Sequence, residues 1–134
     1  MKLVLPLVLV LFACANEDPI VRAVADLADA AEDRDAGEVM EHLSPSYEGR
    51  AEVETTLRRY FFAYNTMDIN VRNLQSTISG EQAFVTFDAD FLGTPKTMGG
   101  MDQYLPRSTT YRFELVMAEE GGEWKIRSAN WATR

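Results

Sequence analysis

The sequence predicts an α+β fold in which three N-terminal helices pack on one face of a curved antiparallel sheet. Apolar residues recur at helical spacing through the first half of the chain. The second half changes to strict alternation of apolar and polar residues, which is typical of half-buried strands. Helices followed by a run of strands is the order expected of an α+β domain.

Two helical segments open this domain. The first begins at Pro19, where a missing N–H costs nothing, and it places Ile20 and Val24 on one apolar face. A shorter helix follows Gly37 and stops before Pro45. Both are expected to cover the sheet.

A third helix is predicted from about Arg50 to Tyr64, with Asn65 ending it in the left-handed conformation. Its C-terminal half carries an aromatic cluster that includes Tyr60 and Tyr64. Core filling is the favoured role of this cluster, and the alternative is that the tyrosine hydroxyls line a cavity.

Four strands are predicted in the second half. Their expected ranges are Ile69–Ile78, Gln82–Leu92, Tyr111–Met117 and Glu123–Trp131. In the second strand the odd-numbered residues, Phe87 among them, form the buried face. The same alternation directs Asp88 and Asp90 to the outer face.

The strand pattern resembles the nuclear-transport-factor-2-like superfamily, including its SnoaL-like members. The resemblance rests on the alternating segment Ala83-Phe84-Val85-Thr86-Phe87 and on the closing segment Gly122-Glu123-Trp124-Lys125-Ile126, followed by Trp131. It implies a conical half-barrel, a cystatin-like α+β cone, with a pocket between helices and sheet. It implies no single activity, because members include isomerases, dehydratases, cyclases and non-catalytic binding domains.

The expected pocket is rich in aromatic side chains and poor in bases. Strand alternation and the third helix give the pocket candidates Tyr60, Tyr64, Phe87, Tyr111, Phe113, Trp124 and Asn130. None of the inward strand positions is a carboxylate, and tyrosine hydroxyls are poor bases at neutral pH. The protein is therefore expected to bind rather than to catalyse, and no catalytic residue is assigned.

Three titratable side chains are alternative catalytic candidates. Asp88 and Asp90 stand about 6.8 Å apart on one strand face and could form a glycosidase-like pair, but alternation favours ion pairing on the outer face. His42 is the only histidine, and a structural or solvated role at a helix edge is favoured over general-base catalysis.

The N-terminal segment Met1–Cys14 resembles the signal peptide and lipobox of a bacterial lipoprotein. Its apolar run is too short to span a bilayer about 30 Å thick, which suits a cleaved signal. We expect residues 1–13 to be the signal peptide, 14–19 a tether lipidated with palmitate at Cys14, and 20–134 the folded domain. Acyl chains on Cys14 would anchor the domain within about 20 Å of the membrane.

Charge and motif content restrict the partners. The net charge of −8 argues against nucleic acid, which requires clustered Lys and Arg. No phosphate loop, zinc signature or dinucleotide fingerprint is present, so neither cofactor nor metal is expected. Export predicts the periplasmic face of the envelope, and Ala15 after the cysteine favours the outer membrane by analogy with enterobacterial lipoproteins.

Three functions remain open from the sequence. The leading one is a lipid-anchored, non-catalytic domain that binds a small apolar or amphipathic ligand, or a partner protein. The second is a SnoaL-like isomerase, dehydratase or cyclase acting on a carbonyl compound. The third is a structural module that forms a homodimer or binds a partner through the outer sheet face, where Phe84, Leu92, Val116 and Trp131 interrupt the charges.

Overall fold

A computed structural model describes residues 18–97 and 100–134 of the chain. The predicted signal peptide, Cys14 and most of the tether lie outside the described residues. Within the described ranges, no helix has both the length and the apolar character needed to cross a bilayer. The described residues form three helices packed on a curved, open, four-stranded antiparallel sheet, as predicted.

The elements follow one another without a crossover. The helices are α1 (Pro19–Glu32), α2 (Ala36–Glu41) and α3 (Arg50–Ala63), and the strands are β1 (Tyr64–Ser79), β2 (Gln82–Pro95), β3 (Ser108–Glu120) and β4 (Glu123–Thr133). A 3₁₀ turn, Met101–Tyr104, lies between β2 and β3. Neighbours in sequence are neighbours in the sheet, which has the order β1-β2-β3-β4.

Aspartates cap the first two helices. The side chain of Asp18 accepts a hydrogen bond from the backbone N–H of Ile20 at 2.8 Å. Asp35 accepts from the N–H of Glu38 at 3.0 Å. Each carboxylate satisfies a backbone donor that has no partner within the helix, and its negative charge suits the helix N-terminus.

Helix α3 begins at Arg50, as predicted, but it ends differently from the prediction. Gly49 precedes it with a φ of 75° and offers no side-chain cap. At its other end Tyr64 is already extended, with φ −115° and ψ 141°, so the helix passes directly into β1. The predicted left-handed ending at Asn65 is wrong, because the peptide continues as a strand paired with β2.

Three β-bulges change which side chains face the helices, and the first lies at the start of β1, between Tyr64 and Thr66. In β1, residues between Arg72 and Gln75 interrupt the pairing with β2, and Asn73 there has a positive φ of 56°. In β4, Val116 pairs with Ser128 whereas Met117 pairs with Ile126, so one residue is additional. Each bulge reverses the alternation for the rest of its strand.

The core lies between α1, α2 and the centre of the sheet. Its buried apolar side chains are Ile20, Val24, Met40, Leu43, Ala83, Val85, Phe87, Ala89, Leu115, Met117 and Ile126. The segment after α2 is joined to β4, because Ile126 N–H donates to the carbonyl of His42 at 2.8 Å. Helix α3 contributes little to this core and buries only Phe61 and Ala63.

Gly93 is required by close packing rather than by a turn. A Cβ atom built on it would lie 2.5 Å from the ring of Phe91 and 2.9 Å from the ring of Tyr64. These two rings meet edge to face, with centroids 5.3 Å apart, and the Tyr64 hydroxyl donates to the carbonyl of Pro106 at 2.6 Å. A side chain at this position would have to displace one of them.

We expect Gly93→Ala to destabilise the protein by about 1–3 kcal/mol, the usual cost of overpacking. The matched control is Gly37→Ala, because a Cβ there has nothing nearer than 3.5 Å and lies within α2. The control should be neutral or stabilising by up to about 1 kcal/mol. Urea unfolding of both variants measures the difference, and equal free energies of unfolding would contradict the packing argument.

Candidate functional site

A cavity of about 630 Å³ lies between the helices and the concave face of the sheet. It exists because α3 covers the sheet without filling the space beneath it. Val53 and Leu57 of α3 are only partly buried, and Tyr60 remains 48% exposed. The cavity is therefore open to solvent at its rim.

The cavity wall is mainly apolar. From the sheet it receives Ile69, Val71, Phe87, Ala89, Phe91, Tyr111, Phe113, Leu115, Ile126, Ala129 and Trp131. From the helices and the segment after α2 it receives Val24, Leu27, Ala28, Ala31, Val39, Leu43, Tyr47, Glu48, Gly49, Glu52, Val53, Thr56, Leu57 and Tyr60.

A row of rings across three strands runs from the cavity floor, at the buried Phe87, to the exposed edge of the cavity, at Trp131. Phe87, Phe113 and Trp131 are direct cross-strand partners. The rings of Phe87 and Phe113 are stacked at 5.2 Å with an interplanar angle of 14°, and Trp131 lies 6.3 Å from Phe113. Tyr111 adds a fourth ring, tilted at 6.3 Å from Phe113. The floor thus offers broad aromatic faces to an occupant.

The polar side chains that α3 and the residue before it contribute lie on one side of the cavity. Glu52, Thr56 and Tyr60 follow one another at four-residue spacing on α3 and share one helix face. Glu48 stands just before this helix, and both carboxylates are exposed. Among the described residues that line the cavity, these two are the only carboxylates, and none is Lys, Arg or His.

The structure brings four of the predicted pocket residues together. Tyr60, Phe87, Tyr111 and Phe113 all line the cavity. Tyr64 does not, because it is 2% exposed and packs against Phe91 behind the wall. Burial also raises the pKa of its hydroxyl. The role of the four lining residues in ligand binding stays a prediction.

Trp124 and Asn130 also lie away from the cavity, for different reasons. Trp124 packs against the core near the start of β4. Asn130 was predicted to point inward, but it pairs with Glu114 and is exposed on the outer face. The bulge in β4 turns it outward and turns Trp131 inward, so the predicted outer position of Trp131 is also wrong.

Sequence reasoning missed the carboxylates at the rim. Strand alternation gives no inward acid, whereas Glu48 and Glu52 approach the cavity from the helix side. A signal was present, because Glu52, Thr56 and Tyr60 form a polar stripe beside the apolar Val53 and Leu57. That stripe could equally have been a solvated helix face.

Asp88 lies on the outer face, as predicted, but it is buried, with 2% exposure. It accepts hydrogen bonds from Asn73 at 2.9 Å and from Arg134 at 2.7 Å. Arg112 Nη1 lies 3.3 Å from the same carboxylate. These donors cover the group on the side of the sheet away from the cavity, so it cannot reach a ligand there.

Asp90 belongs to the same outer network. Arg72 Nη2 donates to it at 2.9 Å, and the Thr110 hydroxyl donates at 2.8 Å. The hydrogen bond from Arg72 holds the pKa of Asp90 well below its usual range. The hydrogen bonds from Asn73 and Arg134 lower the pKa of Asp88 to about 2. Both acids are ion-paired anions at neutral pH, a state that suits neither a general acid nor a proton acceptor.

His42 caps α2 and is not part of the cavity wall. Its carbonyl is the acceptor that joins α2 to β4. No cluster of three or more His, Cys, Asp or Glu among residues 18–97 and 100–134 could hold a metal ion.

The sequence matches no protein-family model and no curated protein. Solved structures do match it. A candidate scytalone dehydratase from Novosphingobium aromaticivorans superposes with a TM-score of 0.78 at 13% identity, covering 91% of this chain and 86% of that one. A candidate dehydratase of the nuclear-transport-factor-2-like family from Streptomyces avermitilis gives 0.70 at 14% identity, covering 91% and 98%.

A hexachlorocyclohexane dehydrochlorinase is similar too, with a TM-score of 0.72 at 14% identity and coverage of 92% and 88%. The chain has the nuclear-transport-factor-2-like, cystatin-like cone fold. At these identities the similarity is one of fold, and the activity of the neighbours does not follow from the cone.

The Asp88 network generates a prediction about pH. The folded-state pKa of about 2 lies below the ordinary value of 3.8. Asp88 therefore contributes stability that is present above about pH 4 and is lost as the pH falls through about 2. We expect Asp88→Asn to lower the melting temperature by several degrees at pH 6, and the gap from the wild type to close towards pH 2.

Thermal unfolding followed by circular dichroism between pH 6 and pH 2 measures this gap. Glu114→Gln is the matched control, because it removes an exposed carboxylate from the same sheet face. Its melting temperature should stay close to that of the wild type at each pH. A difference in melting temperature between Asp88→Asn and the wild type that stays constant from pH 6 to pH 2 would refute the stabilising role of the ionised Asp88.

Proposed function

We propose that this chain binds a bulky apolar or amphipathic small molecule in the cavity of the cone. The observation that carries the proposal is the cavity of about 630 Å³ with its aromatic floor. Ligand sites for small molecules are concave, mainly apolar and typically about 300–1,000 Å³ in volume. The cavity meets all three criteria.

The wall supports binding energetically. Apolar surface removed from water stabilises a complex by roughly 25 cal/mol per Å². The rings of Phe87, Phe113 and Trp131 offer such surface, and cross-strand pairing fixes the backbone that carries them. A few polar groups at the rim, such as Thr56 and Tyr60, are placed to orient the ligand.

Acid–base catalysis is the second candidate. It is favoured by the fold neighbours described as dehydratases and as a dehydrochlorinase. Such an enzyme would need a base near the substrate, and Glu52 is the best placed residue of the cavity wall. Because Glu52 is exposed at the rim, the case for catalysis is weaker than the case for binding. Turnover of a carbonyl compound that stops in Glu52→Gln while apolar ligands still bind would favour the enzyme.

The membrane anchor is part of the proposal. The segment Met1–Cys14 has the pattern of a lipoprotein signal, and the first helix of the cone begins five residues after Cys14, at Pro19. Acyl chains on Cys14 would hold the binding domain at the periplasmic face of the envelope, in the outer membrane. The acidic net charge of −8 gives no attraction to anionic lipid.

Binding can be tested with the neutral fluorophore phenyl-naphthylamine, whose emission rises in apolar surroundings. We expect the purified protein to bind it and Thr56→Trp to weaken binding by about tenfold or more, about 1.4 kcal/mol. Thr56 lines the cavity and is exposed, so a larger ring there fills the cavity mouth without disturbing the core.

Thr55→Trp is the matched control, because it lies on the same helix one position away and does not line the cavity. It should leave the affinity within about twofold of the wild type. Circular dichroism checks that both variants are folded. Equal affinities in the two variants, or no binding by the wild type, would reject the cavity as the site.

Anchoring is tested by Cys14→Ala in a bacterial host. We expect the wild type to incorporate labelled palmitate and to sediment with outer membranes. The variant should incorporate none and leave the membrane fraction, because the acyl chains supply the attachment. Membrane association that survives the substitution would show that another segment anchors the protein.

A further inference from the structure

We infer that the ligand of this cavity is a cationic amphiphile: an apolar body carrying an ammonium-type group that lies at the cavity rim beside Glu48 and Glu52. The inference rests on the proposed binding function and specifies its ligand class. It comes from the charges of the rim, the position of its carboxylates and the aromatic faces beside them.

The charge of the cavity wall has one sign. Glu48 and Glu52 are its only carboxylates among the described residues, and no Lys, Arg or His lines it. No ion pair within residues 18–97 and 100–134 involves either acid. Asp88, Asp90 and Glu54, by contrast, each have an arginine partner. A negative ligand would find no counter-charge in the wall.

The arginine nearest in sequence does not neutralise these acids. Arg50 stands between Glu48 and Glu52, but its guanidinium donates to the carbonyl of Leu43 at 2.8 Å and to that of Met40 at 3.0 Å. Met40 lies in the last turn of α2 and Leu43 lies just after it, where carbonyls lack the partners of a continuing helix. Arg50 is thus held by the backbone and turned towards α2.

Glu52 stands at the N-terminal end of α3. It lies in the first turn of α3, and its Oε2 is within 3.8 Å of the position that a Cβ on Gly49 would occupy. No side chain caps this helix end. The unpaired N–H groups there favour an anion. The start of α3 therefore suits a carboxylate at this point of the rim.

Aromatic faces complete the environment that a cation requires. Tyr60, on the same face of α3 as Glu52, is 48% exposed, and Trp131 across the cavity is 61% exposed. The negative face of a ring attracts an ammonium group and repels a carboxylate. An amphiphile with a positive end would place its charge beside the carboxylates and rings of the rim and bury its apolar chain against the aromatic floor.

Three probes of equal chain length separate charge from hydrophobicity: dodecylammonium, dodecanol and dodecanoate, each used to displace bound phenyl-naphthylamine in detergent-free buffer. We expect dodecylammonium to bind roughly tenfold more tightly than dodecanoate at low salt, with dodecanol between them. The preference should shrink at high salt, because the rim charges are exposed and screened.

The double variant Glu48→Gln with Glu52→Gln should reduce this preference to about threefold or less while dodecanol binding stays unchanged. The control is Glu38→Gln with Glu119→Gln, which changes the net charge equally at exposed positions outside the cavity wall. It should retain the preference.

The possible outcomes separate the inference from the proposed function. Equal affinity of the wild type for all three probes would overturn the inference that the ligand is cationic. So would a control variant that loses the preference for dodecylammonium as completely as the Glu48/Glu52 variant does. Both results would leave the proposal of apolar binding intact. Failure of the wild type to bind phenyl-naphthylamine or any of the three would overturn both.

Discussion

The orientation of the large side chains in this cone depends on β-bulges in β1 and β4. Side chains alternate along a strand, so one additional residue reverses every position after it. In β1 the bulge at Asn73 keeps Leu74 on the inner side, where Ile69 and Val71 already lie. In β4 the bulge brings Trp131 into the row of rings. Bulges also bend a strand and increase its twist, which curves the sheet around the cavity.

The sequence predicted most of the fold, because its two halves have different periods. Strands β2 and β3 pair without register shifts, so the alternation seen in Phe87 and Phe113 holds along their whole length. The helix order and the start of α1 at Pro19 followed from local chemistry, whereas the caps at Asp18 and Asp35 were not predicted. The start of β1 at Tyr64 was missed because the peptide passes from helix to strand without a turn residue.

The site was less predictable, because it depends on registers and on contacts between distant elements. Strict alternation along β4 predicted an inward Asn130, but the bulge in β4 reverses that alternation. In the sequence, a bulge appears only as a shift in the apolar pattern, and such a shift has several explanations. Glu52 was missed because its helix face could have met either solvent or a cavity. Which of these occurs depends on how closely α3 approaches the sheet, a tertiary property that helical periodicity does not contain.

The size of the cavity itself argues that it is a site rather than a packing defect. At about 24 cal/mol per Å³, a sealed void of about 630 Å³ would cost about 15 kcal/mol, as much as the entire stability of a typical domain. The fold avoids this cost by leaving the rim open at Tyr60 and Trp131, so the space is accessible. Apolar walls in contact with water still favour an occupant. A ligand that replaces this water stabilises the cone in proportion to its affinity, and binding and folding are therefore linked.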